Sequence, residues 1–175
     1  DDIDKISSNQ TKAILELMNR KNPNEILNLP GGFNVTRNYD ELLFLKINTK
    51  EENAPIYEEL KEFNNYNHQI IKKIPVSDDH SNYTIRLNSE ELVLPLYVAT
   101  RCPGDKIPVK NMAGTKKVKE IFIDMKIPKI KRDNWLLVKD ATGQVIWVPG
   151  LKKSKFDKEN NEKYDIILMF AKEGE

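Results

Sequence analysis

Between residues 95 and 150 the apolar residues change their spacing three times, and few folds accommodate that succession. Leu94-Pro95-Leu96-Tyr97-Val98-Ala99-Thr100 is a short β-favouring run closed by Pro103-Gly104, and it reads as a buried strand entering a turn. Val118, Ile121, Phe122 and Met125 then recur at i, i+3, i+4 and i+7, one stripe of an amphipathic helix over 115–126. Gly114-Thr115 supplies its start, with Thr115 as N-cap. Pro128 stops it, because proline lacks the amide proton and biases Ile127 out of helical geometry. Trp135–Val138 and Val145–Val148 flank a polar stretch containing Thr142-Gly143, which is the pattern of a β-hairpin.

The flanking segments follow the same rules. Ser7-x-x-Gln10 is a capping box ahead of a helix striped by Ala13, Ile14, Leu17 and Met18, ending before Pro23 with Arg20 and Lys21 at the negative end of its dipole. Residues 25–90 read as β-rich. Ile26–Leu29 precedes the turn Pro30-Gly31-Gly32, then come Phe33-Asn34-Val35 and, past Asn38-Tyr39-Asp40, Leu42–Ile47. Residues 48–67 are polar and read as a loop with a short helical turn at Tyr57–Leu60. Gln69–Val76 and Tyr83–Leu87 are further strands, 151–163 is a charged connector, and Tyr164–Ala171 is a strand returning to the sheet. The chain is thus expected to be α+β, in two small domains. A helix plus β-rich domain over 1–90 precedes a mixed, sandwich-like domain over 91–175.

Charge draws the same boundary. The first 90 residues hold 11 basic and 15 acidic side chains, and the remainder hold 17 and 12, so the sign of the net charge reverses near residue 90. Residues 101–155 hold 14 Lys plus Arg against 5 Asp plus Glu in a chain of net charge +1. On a helix over 115–126, Lys116, Lys119 and Lys126 would share one flank. A basic face of this kind is the electrostatic footprint of a polyanion partner.

Other chemistries have little to stand on. No apolar run approaches the roughly 18 to 20 residues of a membrane span. The single Cys102 excludes an internal disulfide, suits a reducing compartment and has no histidine near it in sequence. His80 beside Asp78 and Asp79 lacks a second histidine or cysteine at ligand spacing, so no metal is expected. Glu51-Glu52 and Glu58-Glu59 read as solvated surface, and Trp135 and Trp147 as core rather than base-stacking residues.

Five pieces in order carry a family resemblance: Arg101-x-x-Gly104-Asp105-Lys106, Gly114-x-Lys116-Lys117-Val118-Lys119-x-x-Phe122-Ile123, Lys126-Ile127-Pro128, Arg132-Asp133 and Ile146-Trp147-Val148-Pro149-Gly150. Together they resemble the C-terminal domain of bacterial tRNA(Ile)-lysidine synthetase, and Leu29-Pro30-Gly31-Gly32 with Arg37-Asn38-Tyr39-Asp40 is similar to that family's central domain. A related C-terminal fold occurs in the β subunit of phenylalanyl-tRNA synthetase, so fold alone does not fix the role.

The resemblance implies a cytoplasmic, ATP-dependent ligase that joins lysine to the wobble cytidine of tRNA(Ile) through an adenylated base. Its ATP and Mg belong to an N-terminal catalytic domain with a Ser-Gly-Gly-x-Asp-Ser loop, a sequence absent from these 175 residues. The chain is therefore expected to be a tRNA-binding portion, inactive alone, that needs no cofactor of its own. Its partners would be tRNA(Ile) and the catalytic domain. The alternative is a protein-interaction or homodimerisation module without RNA contact. The residues expected to touch phosphate are Arg101, Lys106, Lys116, Lys117, Lys119 and Arg132. Asp105 is expected to orient neighbouring amides or a basic side chain.

Overall fold

The computed structural model describes residues 6–20, 25–46, 55–66, 68–110 and 113–172. It divides into two compact units, residues 1–53 and 54–175. The class is α+β, with a few helices set against antiparallel sheets.

The smaller unit begins with helix α1 (Ser8–Asn19). Its capping box forms as expected: the Ser7 hydroxyl accepts from the Gln10 amide, and the Gln10 side chain accepts from the Ser7 amide. Strands β1 (Ile26–Leu29), β2 (Phe33–Asn38) and β3 (Glu41–Lys46) form a three-stranded meander. The β1–β2 connection turns through Gly31 and Gly32, both at positive φ, a backbone that residues without a Cβ adopt freely. Leu17, Leu29 and Val35 form the small core, with Ile14, Leu27, Phe33 and Leu42 packed around it. Arg37 on β2 donates to the carbonyls of Met18 and Arg20, and so satisfies two acceptors at the open end of α1. The expected positions of Lys21, Pro23 and residues 47–54 lie outside the described residues.

The larger unit is built on two sheets. In the five-stranded sheet, β4 (Tyr57–Glu59), β8 (Tyr97–Thr100), β11 (Leu136–Lys139), β12 (Val145–Val148) and β13 (Lys152–Lys153) lie side by side in that order. The four-stranded sheet is ordered β5 (Phe63–Tyr66), β6 (Gln69–Lys73), β14 (Ile166–Lys172), β7 (Thr84–Leu87). All pairings are antiparallel. The two sheets share a core containing Ile71, Ile85, Leu87, Val98, Leu136, Val138, Trp147, Leu168 and Phe170. On the far face of the five-stranded sheet, a ribbon of β9 (Lys106–Pro108) and β10 (Thr115–Lys117) and helix α2 (Val118–Asp124) enclose a second core. Its members include Ile107, Val118, Ile121, Phe122, Leu137, Val145 and Val148. A short helix α3 (Lys129–Arg132) leads into β11.

The middle strands β11 and β12 are therefore covered on both faces, and every one of their residues is buried. That explains why the hairpin reads as unbroken apolar runs rather than alternation. A bulge between Val138 and Lys139 places one extra residue in β12, so Ile146 and Trp147 both face the shared core. The Trp-Val-Pro-Gly segment is a packing motif. The Trp147 indole donates to the Asn82 carbonyl at 3.1 Å, the Trp135 indole donates to the Pro149 carbonyl at 3.0 Å, and the Gly150 amide donates to Asn82 at 2.8 Å. Gly150 has φ +74°, and a Cβ there would meet the Phe170 ring at 3.3 Å.

Three expectations are corrected. The chain does not divide at residue 90: strands of residues 57–87 pair with β8 and β14, so they belong to the larger unit despite the change of charge sign. Residues 57–60 and 63–66 are not a loop with a helical turn. β4 is held from its backbone, with the Thr100 amide on the Ile56 carbonyl at 2.9 Å and the Leu60 amide on the Leu96 carbonyl at 2.8 Å, while its side chains stay exposed and show no apolar alternation. The helix of residues 115–126 is shorter than its stripe, because residues 115–117 pair with 106–108 as strand. Lys117 rather than Thr115 is its N-cap, Met125 is 49% exposed, and Lys126 has φ +52°.

Candidate nucleic-acid interface

Because β10 is strand, the basic residues are arranged by sheet register and not by helical periodicity. Lys106 and Lys117 are Cα partners across the β9–β10 ribbon, and Lys116 stands opposite Ile107. Directly opposed residues project from the same face, so Lys106 and Lys117 are neighbours. Both are exposed, as is Lys119 in the first turn of α2, and none of the three has an ion pair among the described residues. The ribbon is anchored to the helix by the Val118 amide, which donates to the Asp105 carbonyl at 2.9 Å.

The other three basic candidates are engaged within the protein. Lys116 pairs with Asp124, and Arg101 with Asp133. The Arg132 Nε donates to the Ile127 carbonyl at 2.7 Å. Asp105 holds the turn beneath them: one carboxylate oxygen accepts from the Cys102 amide at 2.7 Å, the other from Lys139 Nζ at 2.8 Å. The Lys139–Asp105 pair has side chains only 5% and 11% exposed. Sequence reasoning missed Lys139 as its partner, although a lysine closing the apolar run Leu136-Leu137-Val138 was a visible signal.

Elsewhere the positive charge is spread more thinly. Lys110 pairs with Glu159, and their hydrogen bond, helped by the opposite charges, holds the lysine pKa above its ordinary value and that of the carboxyl below. Lys153 pairs with Asp157 at 3.3 Å, and Lys155 lies 5.3 Å from the centre of the Phe156 ring. Lys129 and Lys131 are exposed on α3. Arg86 is fully buried and donates to the carbonyls of Ser77 and Asp79, which ties down the loop before β7. His80 lies near Glu159, 3.9 Å away, rather than in a ligand set with Asp79. Asp79 is occupied by Ser81 and Thr84. Trp135 and Trp147 are both buried. Among the described residues no helix is long and apolar enough to cross a membrane.

The larger unit is thus a two-sheet sandwich core carrying a short ribbon with exposed lysines. The family model of the TilS substrate C-terminal domain matches residues 96–168, the span that contains the ribbon, α2 and the Trp-Val-Pro-Gly segment. A solved structure described as the TilS C-terminal domain is 35% identical, with a TM-score of 0.59 over 68% of this chain and 98% of that one. The tRNA(Ile)-lysidine synthase of Geobacillus kaustophilus is 38% identical over 165 residues, 89% of this chain and 35% of that protein. That of Bacillus subtilis is 33% identical over 159 residues, 86% and 34% respectively. The bifunctional protein TilS/HprT of Listeria innocua is 35% identical over 176 residues, 95% of this chain and 27% of that protein. The chain belongs to the tRNA(Ile)-lysidine synthase family, within its C-terminal region, and spans about a third or less of the length of these curated relatives.

Proposed function

We propose that this chain is the tRNA-holding portion of a tRNA(Ile)-lysidine synthase, and that the β9–β10 ribbon with the first turn of α2 grips the sugar-phosphate backbone of a tRNA stem. The observation that carries this reading is Lys106 standing opposite Lys117. Like charges directly opposed across a sheet destabilise it, and a phosphate between them removes that repulsion. Lys119 continues the positive charge into the first turn of α2. An A-form stem hides its base edges in a deep, narrow groove, so backbone and shape are what such a surface can recognise. In this reading Arg101, Lys116 and Arg132 take a smaller share of phosphate contact, because each already has a partner in the protein. Asp105 serves by keeping the turn and Lys139 in place.

The larger unit would hold the acceptor stem of tRNA(Ile), and the smaller unit would help to orient the body of the tRNA. Joining lysine to the wobble cytidine, with ATP and Mg, falls to the catalytic domain that carries the Ser-Gly-Gly-x-Asp-Ser loop, in the cytoplasm. This chain by itself is then expected to incorporate no lysine.

The test is a titration with tRNA(Ile) at several salt concentrations. Each neutralised phosphate contributes about 0.7 to 0.9 to the slope of log affinity against log salt, so K106E/K117E/K119E should flatten that slope by about 2 to 3. A protein that binds with no salt slope, or a triple variant with an unchanged slope, sinks the proposal and favours an interaction module instead.

A further inference from the structure

One aromatic pair in the larger unit, one ring exposed and the other half-buried, belongs to neither core. Tyr57 on β4 and Tyr97 on β8 stack, with ring centroids 4.8 Å apart and planes inclined by 24°, and Tyr57 is 54% exposed. Sheet register locates the pair. Tyr97 stands opposite Lys139 on one side and Glu59 on the other, and Tyr57 stands opposite Ala99. Val98 and Val138, the next partners along, point into the core between the two sheets. Alternation therefore turns Tyr97, Ala99, Lys139 and Tyr57 to the opposite face, the face on which Leu137 packs in the second core with α2 and Ile107 of the ribbon. Lys139 bridges the two features. It neighbours Tyr97 across the sheet and donates to Asp105, which precedes Lys106 in the chain.

We infer that Tyr57 and Tyr97 form a stacking platform for an unpaired nucleotide adjoining the stem that Lys106, Lys117 and Lys119 hold, an inference that rests on the reading of those lysines given above. The two rings are already ordered by each other, so a base added to the exposed face of Tyr57 immobilises little further side chain. Stacking of this kind tolerates any base, because every base has a π-face. Glu59, exposed opposite Tyr97, repels phosphate from this spot. The backbone is thereby left to the lysines and the base to the tyrosines.

The experiment compares two RNAs that share one stem, one blunt and one carrying a single-stranded extension with 2-aminopurine, placed at the 5′ end in one version and the 3′ end in another. The wild-type chain should bind one extended RNA more tightly than the blunt one and quench its 2-aminopurine fluorescence. Tyr57→Ala should weaken binding of that extended RNA by about 5- to 150-fold with its salt slope unchanged. Binding of the blunt RNA should stay the same, and Tyr57→Phe should retain wild-type affinity. K106E/K117E should weaken both RNAs. Absence of quenching, or a Tyr57→Ala variant that loses equally on both RNAs or on neither, overturns the platform while leaving the lysine reading intact. A wild-type chain that binds neither RNA with a salt slope overturns both.

Discussion

Gly150 shows how a single position can be fixed by two constraints at once. Its φ of +74° disfavours any L side chain, and a Cβ would press on the Phe170 ring at 3.3 Å while meeting Tyr83 at an ordinary contact distance of 3.5 Å. Left-handed backbone costs a non-glycine residue about 1 to 2 kcal/mol, and the ring contact adds to that. Gly150→Ala should therefore lower the unfolding free energy by roughly 2 to 3 kcal/mol in a denaturant titration, without altering RNA affinity per folded molecule. The adjoining Trp147 was legible as core from its place in an apolar run. The reason for the glycine was not, because Phe170 and Tyr83 lie far from it in sequence and meet it only when β14 and β7 pair. Asp79 and Asp165 contribute, alongside Glu159, to the acid sensitivity. Burial works to raise the Asp79 pKa, but the amide and hydroxyl of Ser81 and the hydroxyl of Thr84 prevail and hold it below the ordinary value. The hydroxyl and amide of Ser89 do the same for Asp165. Carboxyls depressed in the folded state stabilise it above their unfolded pKa of about 3.9, and that contribution is lost as pH falls through the folded values. D79N/D165N should consequently show a flatter fall of melting temperature between neutral and strongly acid pH than the wild type.

The ribbon and α2 are the elements at which stability and function pull in opposite directions. Lys117 is at once the N-cap of α2 and the cross-strand partner of Lys106. An acidic residue there would face a lysine and sit at the positive end of the helix dipole, each effect worth about 0.2 to 1 kcal/mol. K117E should thus melt slightly higher than the wild type and yet bind tRNA(Ile) more weakly. A variant that gained or lost both properties together would argue that Lys117 is there for the fold. The same elements mark where periodicity misled. Val118, Ile121 and Phe122 announced a helix, and all three are buried on one. The pattern carries no information about where a helix begins, however, and Thr115–Lys117 obey the pairing demand of Lys106–Pro108 instead. β4 failed to register for the converse reason. Its strand character resides in backbone bonds to β8, while Tyr57, Glu58 and Glu59 face solvent and look like loop.

Across the whole molecule, local order and chain order disagree. The charge reversal near residue 90 suggested two successive domains, whereas the larger unit draws strands from both sides of that point, and its sheets pair residues up to about a hundred positions apart. Long-range pairing of this sort is invisible to windowed patterns of hydrophobicity, although Tyr164–Ala171 could be read as a strand that returns to a sheet. β14 is the inner partner of both β6 and β7. A ribosome must therefore translate past residue 172 before this sheet can close. Until then the nascent chain carries two facing strand edges with unmet amides and carbonyls, the kind of edge that recruits other chains, so premature termination anywhere between β7 and β14 produces an aggregation-prone polypeptide rather than a shortened but serviceable one.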